Sequence, residues 1–288
     1  MTPQPLVGNR PADELHRNGA SGKLPGSFRL GLLRGGVELK QFFRAKEAVV
    51  FTFALPIVMM TMFASIFHNR IQNAGVTVSQ LYVAAMLGAG LMSTSFQSLG
   101  IGIATERDEG CLRRLRAMPL PRSAYFIGKL CLVLLTGVAE TVLLLVAGVA
   151  FFGLELPTAP GKWFTLVWVL VLGMVSCSLL GIAMSSVPRH AKSAAPIMTL
   201  PFLILQFVSG VYISIDSVSG WMLEVGSLFP LKWMCQGLRS VFLPDRAKVL
   251  EQAGDWELGR VALVLGAWCI GGLVLCLTTF RWKNRRDG

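Results

Sequence analysis

Glu140 is the single acid within the apolar run Leu130–Phe152. A carboxyl near mid-membrane depth costs roughly 2.5–3.5 kcal/mol on insertion scales, which makes it a functional suspect by default. No intramembrane Lys or Arg is available to pair with it. Two roles stay open: a protonated carboxyl hydrogen-bonded to a neighbour such as Thr136 one turn earlier, or a site for a proton or a cationic substrate. Other polar groups in apolar runs are Ser93, Thr94, Ser95, Gln97 and Ser98, and Gln206 beside Phe207. Such groups face protein or a cavity more readily than lipid, and they serve either a path or helix-to-helix hydrogen bonding.

Covalent chemistry has little support. His16, His68 and His190 are scattered, and no Ser/His/acid set or carboxylate pair stands at a useful spacing. A phosphate-cradling loop ends Gly-Lys-[Ser/Thr], yet Gly22-Lys23, Gly128-Lys129 and Gly161-Lys162 are each followed by Leu or Trp. The chain is therefore not expected to hold ATP in that way, to bind any cofactor, or to catalyse a reaction. The six Cys (Cys111, Cys131, Cys177, Cys235, Cys269, Cys276) show no metal-ligand spacing and read as small hydrophobes. Of these, Cys235 is expected to face the outer compartment.

The elements that must position these groups are membrane spans. Hydrophobic residues make up 53% of the 288 and charged residues only 15%, with a mean hydropathy of +0.59. That leaves too little polar surface to cover a globule in water. A bilayer core about 30 Å thick needs about 20 apolar residues per helix. Six stretches qualify: about Ala48–Phe67 with Pro56 as a kink, Leu81–Ala104, Leu130–Phe152, Trp163–Val187, Ala195–Ser214 and Val261–Phe280. Gly266, Gly271 and Gly272 in the last suggest close helix packing.

The expected fold is all-α and polytopic, with an even number of spans. With the N-terminus inside, roughly three-quarters of the Lys and Arg fall on the cytoplasmic side, where positive charge is retained. Arg70, Lys162, Lys232, Arg239, Arg246, Lys248 and Arg260 remain outside. Both termini are thus expected in the cytoplasm. The net charge of +11 is explained by topology and the lipid surface without nucleic acid. Residues 1–26 read as a disordered cytoplasmic tail, 27–47 as an interfacial helix, 48–280 as the six-span domain and 281–288 as a basic cytoplasmic tail. Within the six-span domain, 215–259 forms an outer re-entrant or interfacial segment in which Trp221 and Trp233 suit the headgroup boundary.

Two cytoplasmic segments stand out. Ser27–Glu47 has Ser27 as N-cap and Leu32, Gly36, Leu39 and Phe43 at helical spacing, with Arg29, Arg34, Lys40, Arg44 and Lys46 around them. It is either a lipid anchor or a docking helix for a partner. The loop 105–129 places Glu106, Arg107, Asp108, Glu109 and Gly110 before Leu112, Arg113, Arg114, Leu115 and Arg116, and Pro119 and Pro121 follow. Acids first and bases later favour a short helix through its macrodipole. That helix can pass a push from a soluble partner into the second and third spans; the alternative is a stop-transfer loop whose arginines set topology.

The run Glu106–Gly110, followed by Leu112-Arg113-Arg114-Leu115-Arg116-Ala117-Met118-Pro119-Leu120 and Gly128-Lys129, resembles the signature loop of the type 2 ABC exporter permeases, most of all their daunorubicin-resistance group. Cys111 stands where that family usually has Thr, and the Pro common in its outer hairpin is missing around Val218–Trp221. The resemblance implies a six-helix subunit that pairs with a second permease copy or a related permease. It implies a separate ATP-binding subunit, holding ATP and Mg, docked on Glu106, Arg107, Asp108, Glu109, Gly110, Leu112, Leu115, Arg116 and Pro119. Arg34 and Lys40 on the preceding helix would form the second contact. It further implies a path lined by Thr94, Gln97, Gln206 and Phe207, with Glu140 a further path residue on its own chemistry. The function implied is export of an amphipathic drug, lipid or glycolipid across a bacterial plasma membrane. Two other classes remain: an ion-coupled carrier using Glu140 as its proton site, and a membrane scaffold that moves nothing.

Overall fold

Long apolar runs leave the backbone to satisfy its own N–H and C=O groups, and helices do this within one segment. The computed structural model describes residues 26–66, 70–71, 75–117, 121–154, 156–212 and 220–280, nearly all helical. Helix α1 (Ser27–Arg44) is followed after Ala45 by α2 (Lys46–Ile66), which carries Pro56 inside it. Two short strands, β1 (Arg70–Ile71) and β2 (Val76–Thr77), pair antiparallel, Arg70 with Thr77 and Ile71 with Val76. Thr77 then caps α3 (Val78–Met92) through a reciprocal pair of bonds. Its hydroxyl accepts the Gln80 N–H at 3.3 Å, and the Gln80 side chain accepts the Thr77 N–H at 3.2 Å.

The helix continues through a π-helical segment, Ser93–Ser98, into α4 (Leu99–Asp108). Gly110, at φ +75°, turns the chain into the short α5 (Cys111–Ala117). Helix α6 (Arg122–Phe152) ends at Gly153, at φ +60°, and α7 (Pro160–Met184) and α8 (Ala191–Val208) follow. Beyond them lie α9 (Gly220–Ser227), α10 (Pro230–Phe242), a 3-10 turn (Asp245–Leu250) and α11 (Leu258–Thr279).

Five helices among the described residues are long and apolar enough to cross a membrane: α2, α6, α7, α8 and α11. The stretch read as a second span, Leu81–Ala104, is divided among α3, the π segment and α4, of 15, 6 and 10 residues. The outer sides are apolar: Phe51, Leu55 and Val58 on α2, Val142 and Val146 on α6, and Leu263, Ile270 and Leu277 on α11 are all exposed. In water such a surface would be unsustainable, whereas in lipid it is the expected covering.

The core forms where α3, the π segment, α7 and α10 meet. All 13 residues of α10 are buried, including Lys232, Gln236, Arg239 and Ser240. Polar groups of this helix are bound by chain that follows it. Arg239 holds Glu251 through Nε–H to Oε1 at 2.5 Å and Nη2–H to Oε2 at 3.1 Å, and Gln236 Nε2 donates to the Trp256 carbonyl at 3.0 Å.

Several local expectations are corrected. Gly26, not Ser27, stands at the N-cap of α1. The face of α1 that packs inward is Gly31, Gly35 and Glu38, while Leu32, Gly36 and Phe43 point outward. The reason is proximity: a Cβ on Gly35 would stand 2.8 Å from the Cys131 Cβ of α6. The loop 105–129 is partly helix, since α6 begins at Arg122. Trp233 is buried and donates its indole N–H to the Ser227 carbonyl at 2.6 Å, whereas Trp221 is exposed. Cys235 is fully buried against α3, where the absent side chain of Gly88 makes room for its sulfur. In α11 only Gly272 of the three glycines is closely approached, by the Leu179 Cβ. The tail assigned to 1–26 lies outside the described residues up to position 25, as do 213–219 of the outer segment and the tail 281–288.

Candidate functional site

The root of the charged loop is built by α4 ending against α1, α6 and the start of α8. Glu106, on the last turn of α4, accepts the Tyr125 hydroxyl at 2.8 Å and pairs with the Lys129 ammonium, both on α6. Lys129 in turn reaches Glu38 of α1 at 2.8 Å, and Arg34 closes the set on Glu38 Oε1 at 2.6 Å. Two cations and two carboxylates balance in this network, with Glu38 and Lys129 about 5% exposed. Removing one member of such a set leaves an uncompensated buried charge, a loss of about 3–5 kcal/mol.

On the opposite side of the α4 terminus, Arg107 is buried and donates from Nη2 to the Pro188 carbonyl at 2.8 Å. Asp108 accepts the Ala191 N–H at the start of α8 at 2.9 Å, and its other oxygen lies 3.9 Å from His190 Nδ1. A carboxylate at a helix N-terminus also meets the positive end of the macrodipole. Glu106, Arg107 and Asp108 therefore clamp the corner internally. Beyond them Glu109, Arg113 and Arg114 are exposed, while Leu112 and Leu115 press α5 onto the hydrophobic core. Lys40 is exposed on α1 and Arg34 partly so. The side chain of Arg116 and all of Pro119 lie outside the described residues.

A second polar site lies within the bundle. Thr94, in the π segment, donates its hydroxyl to Glu140 Oε2 at 2.8 Å. The other carboxylate oxygen, Oε1, is buried without a hydrogen-bond partner among the described residues, against Gly90, which lacks the Cβ that would collide with it. Thr136, expected as the partner, instead donates to carbonyls of its own helix, Leu132 at 2.9 Å and Val133 at 3.1 Å. Glu140 thus joins α6 to the π segment and is only 1% exposed.

Gln97 bridges to α8, donating from Nε2 to the Thr199 hydroxyl at 2.7 Å. Gln206 is buried, with Oε1 likewise unpartnered among the described residues, and Phe207 is exposed with its ring 5.2 Å from that of Tyr212. The π segment can lie this close to α7 because Gly181 is bare: a Cβ there would stand 2.6 Å from the Phe96 carbonyl. Of the five residues read as path candidates, Thr94 and Glu140 meet each other, Gln97 joins the π segment to α8 at Thr199, and Gln206 and Phe207 lie further along α8.

Sequence reasoning missed Glu38. Its signal was present: it is the sole acid of α1, one turn after Arg34, where an i,i+4 pair is favourable. It also missed the Arg239–Glu251 pair, whose members stand 12 residues apart on different elements.

A multi-pass helical membrane protein with a charged, internally clamped corner at one end is the class that this architecture defines. The profile of the ABC-2 type transporter family matches residues 36–243, and the chain belongs to that family. It is also similar to a Bacillus subtilis (strain 168) protein named "Putative transport permease YvfS", 22% identical over 197 residues that cover 67% of this chain and 77% of the relative. Membership makes it a transmembrane transport subunit of an ABC system and implies partnership with an ATP-binding ABC subunit.

Proposed function

We propose that the chain is the permease subunit of an ATP-driven exporter. It crosses the plasma membrane six times with both termini in the cytoplasm, the run α3–π segment–α4 supplying the second crossing. It pairs with a second permease copy or a related permease, and together they move an amphipathic drug, lipid or glycolipid outward. ATP, Mg and hydrolysis reside on a separate subunit docked at α5.

The observation that carries this reading is the corner between α4 and α5. Its tip presents Glu109, Arg113 and Arg114 outward, while its root is tied to α1, α6 and α8 through Glu106, Arg107 and Asp108. A load applied to α5 is therefore delivered to three helices at once, the property required of a lever between an ATPase and a transmembrane path.

Isolation of the tagged chain from its native membranes in mild detergent tests this. A P-loop ATPase should come with it in equal amount, and Glu109→Lys with Arg114→Glu should lose that subunit while the chain still inserts. Recovery of the chain without any ATPase under several gentle conditions overturns the reading. The unpartnered Oε1 of Glu140 keeps the ion-coupled carrier as a second reading, in which Glu140→Gln abolishes transport driven by a proton gradient without ATP. In the scaffold alternative, partner binding persists but ATP hydrolysis does not respond to any substrate.

A further inference from the structure

At the end of the bundle opposite α5, a cavity of about 310 Å³ opens between the end of α9, the first turn of α10 and the start of α11. Ser227, Lys232, Trp233, Gln252, Glu257 and Arg260 line it. Lys232 is about 5% exposed, and its polar partner among the described residues is neutral: the ammonium donates to Gln252 Oε1 at 3.0 Å. The Trp233 ring covers another side, its centroid 5.2 Å away. Two turns further along α10, Arg239 is closed by a two-pronged bond to Glu251. The fold thus neutralises one buried cation of this helix and leaves the other facing a cavity with no carboxylate paired to it among the described residues.

An ammonium has three donors and Gln252 takes one. Glu257 lines the same cavity but is held by Arg260, and Glu251 nearby is held by Arg239, so in the cavity two cations, Lys232 and Arg260, face one carboxylate and leave a positive charge that an arriving anion offsets. Arg260 stands at the mouth, 70% exposed, held by Glu257 Oε1 at 2.6 Å through one N–H of its guanidinium, which has five. Glu257 is itself in the left-handed region, φ +45°, the one such non-glycine among the described residues. Backbone held there costs on the order of 1–3 kcal/mol and is found where the surroundings impose it, often at ligand sites. The Trp233 N–H is engaged by the Ser227 carbonyl, which leaves Lys232 and Arg260 as the charged donors of the cavity.

We propose that this cavity binds a phosphate group, with Lys232 as the inner counter-charge and Arg260 as the outer one. A phosphate offers oxygens on several sides, which suits donors approaching from the floor and from the mouth. The group can belong to a phospholipid headgroup entering from the membrane boundary, the level to which exposed Trp221 nearby on α9 is suited, or to a free phosphate. The site belongs to this chain alone. Failure to recover an ATPase leaves it standing, and its own failure leaves the permease reading standing.

The test is thermal unfolding of the full chain in nonionic detergent, with three additions: dioleoylphosphatidylglycerol, phosphate-free dioleoylglycerol, and inorganic phosphate against chloride at equal ionic strength. A phospholipid site raises Tm by about 4 °C with phosphatidylglycerol at about ten times its Kd, and not with dioleoylglycerol. A free-anion site gives the same rise with inorganic phosphate. In either case Lys232→Met abolishes the rise and Arg260→Gln reduces it. Without ligand, Lys232→Met should keep a Tm close to the parent's, because the hydrogen bond to Gln252 is exchanged for relief from burying an ammonium that has no ion pair of its own among the described residues. Should that variant not fold, the exposed Arg260→Gln decides alone. Equal shifts in the parent and the foldable variants, or no shift with either phosphate source, overturn the proposal.

Discussion

Among the described residues, the hydroxyl of Thr94 is the donor on which Glu140 depends, so Thr94→Val should destabilise the chain by about 1–3 kcal/mol while Thr94→Ser retains most of its stability. Thermal unfolding in detergent measures both, and equal losses would show that packing and not the hydrogen bond matters. Lys129→Met is the harsher change, because it leaves Glu106 without its cation and Glu38 with Arg34 alone; a loss of about 3 kcal/mol or more is expected by the same measurement. That Glu140 would be exceptional was legible in the sequence, since one acid in a long apolar run has few innocent explanations. Its partner was not legible. Thr136 lies one turn away on the same helix, but a helical Thr can turn its hydroxyl back to its own carbonyls, whereas Thr94 is brought in from 46 positions earlier by the tertiary fold. The charged residues of the α4 terminus were likewise recognisable as a cluster, while their division into clamps (Glu106, Arg107, Asp108) and an outward tip (Glu109) depended on where α1, α6 and α8 come to rest.

Helix α1 inverts the rule by which amphipathic helices of soluble proteins are read. Leu32, Leu33, Val37 and Phe43 face outward while Gly31 and Gly35 face α6, where small residues permit close approach of two backbones. Gly35→Leu should therefore expel α1 from α6 and lower stability by about 1–3 kcal/mol, whereas Gly36→Leu, on the open face one residue later, should be tolerated. Protection of the α1 amides in hydrogen exchange distinguishes the two, and equal effects would mean that α1 does not dock as described. The existence and length of α1 were legible from periodicity; its orientation was not, because periodicity reports that a helix has two faces without saying which solvent each one meets. Helix α10 escaped for a related reason. Lys232 and Arg239 stand as charges in an apolar stretch, and their partners, Gln252 and Glu251, come from the chain beyond the helix.

Across the whole molecule, apolar run length identified the long helices, and family membership sets them in a transport subunit. The stretch read as a second span was harder to delimit, since its helix changes winding midway. The expected topology is checked by impermeant maleimide labelling with Cys111 replaced by Ser. Arg246→Cys, on the exposed turn after α10, should react in intact cells and Arg114→Cys only after lysis; the reverse order would invert the topology. Cys235 itself should stay silent in either case, being enclosed against Gly88. The change of winding at Ser93–Ser98 has a mechanical meaning of its own. A π turn accommodates one residue more than an α turn, so everything beyond it is rotated by about 100° relative to an uninterrupted α-helix. If the same residues rewound as α-helix, Glu106 would swing away from Lys129 and Arg107 away from Pro188, whereas deleting one residue there would let the rod rewind with both contacts still in register. The segment is thus a phase setting: it decides which side of the rod the lower half shows, and losing the wide turn at unchanged length would put the clamp out of step with its sockets.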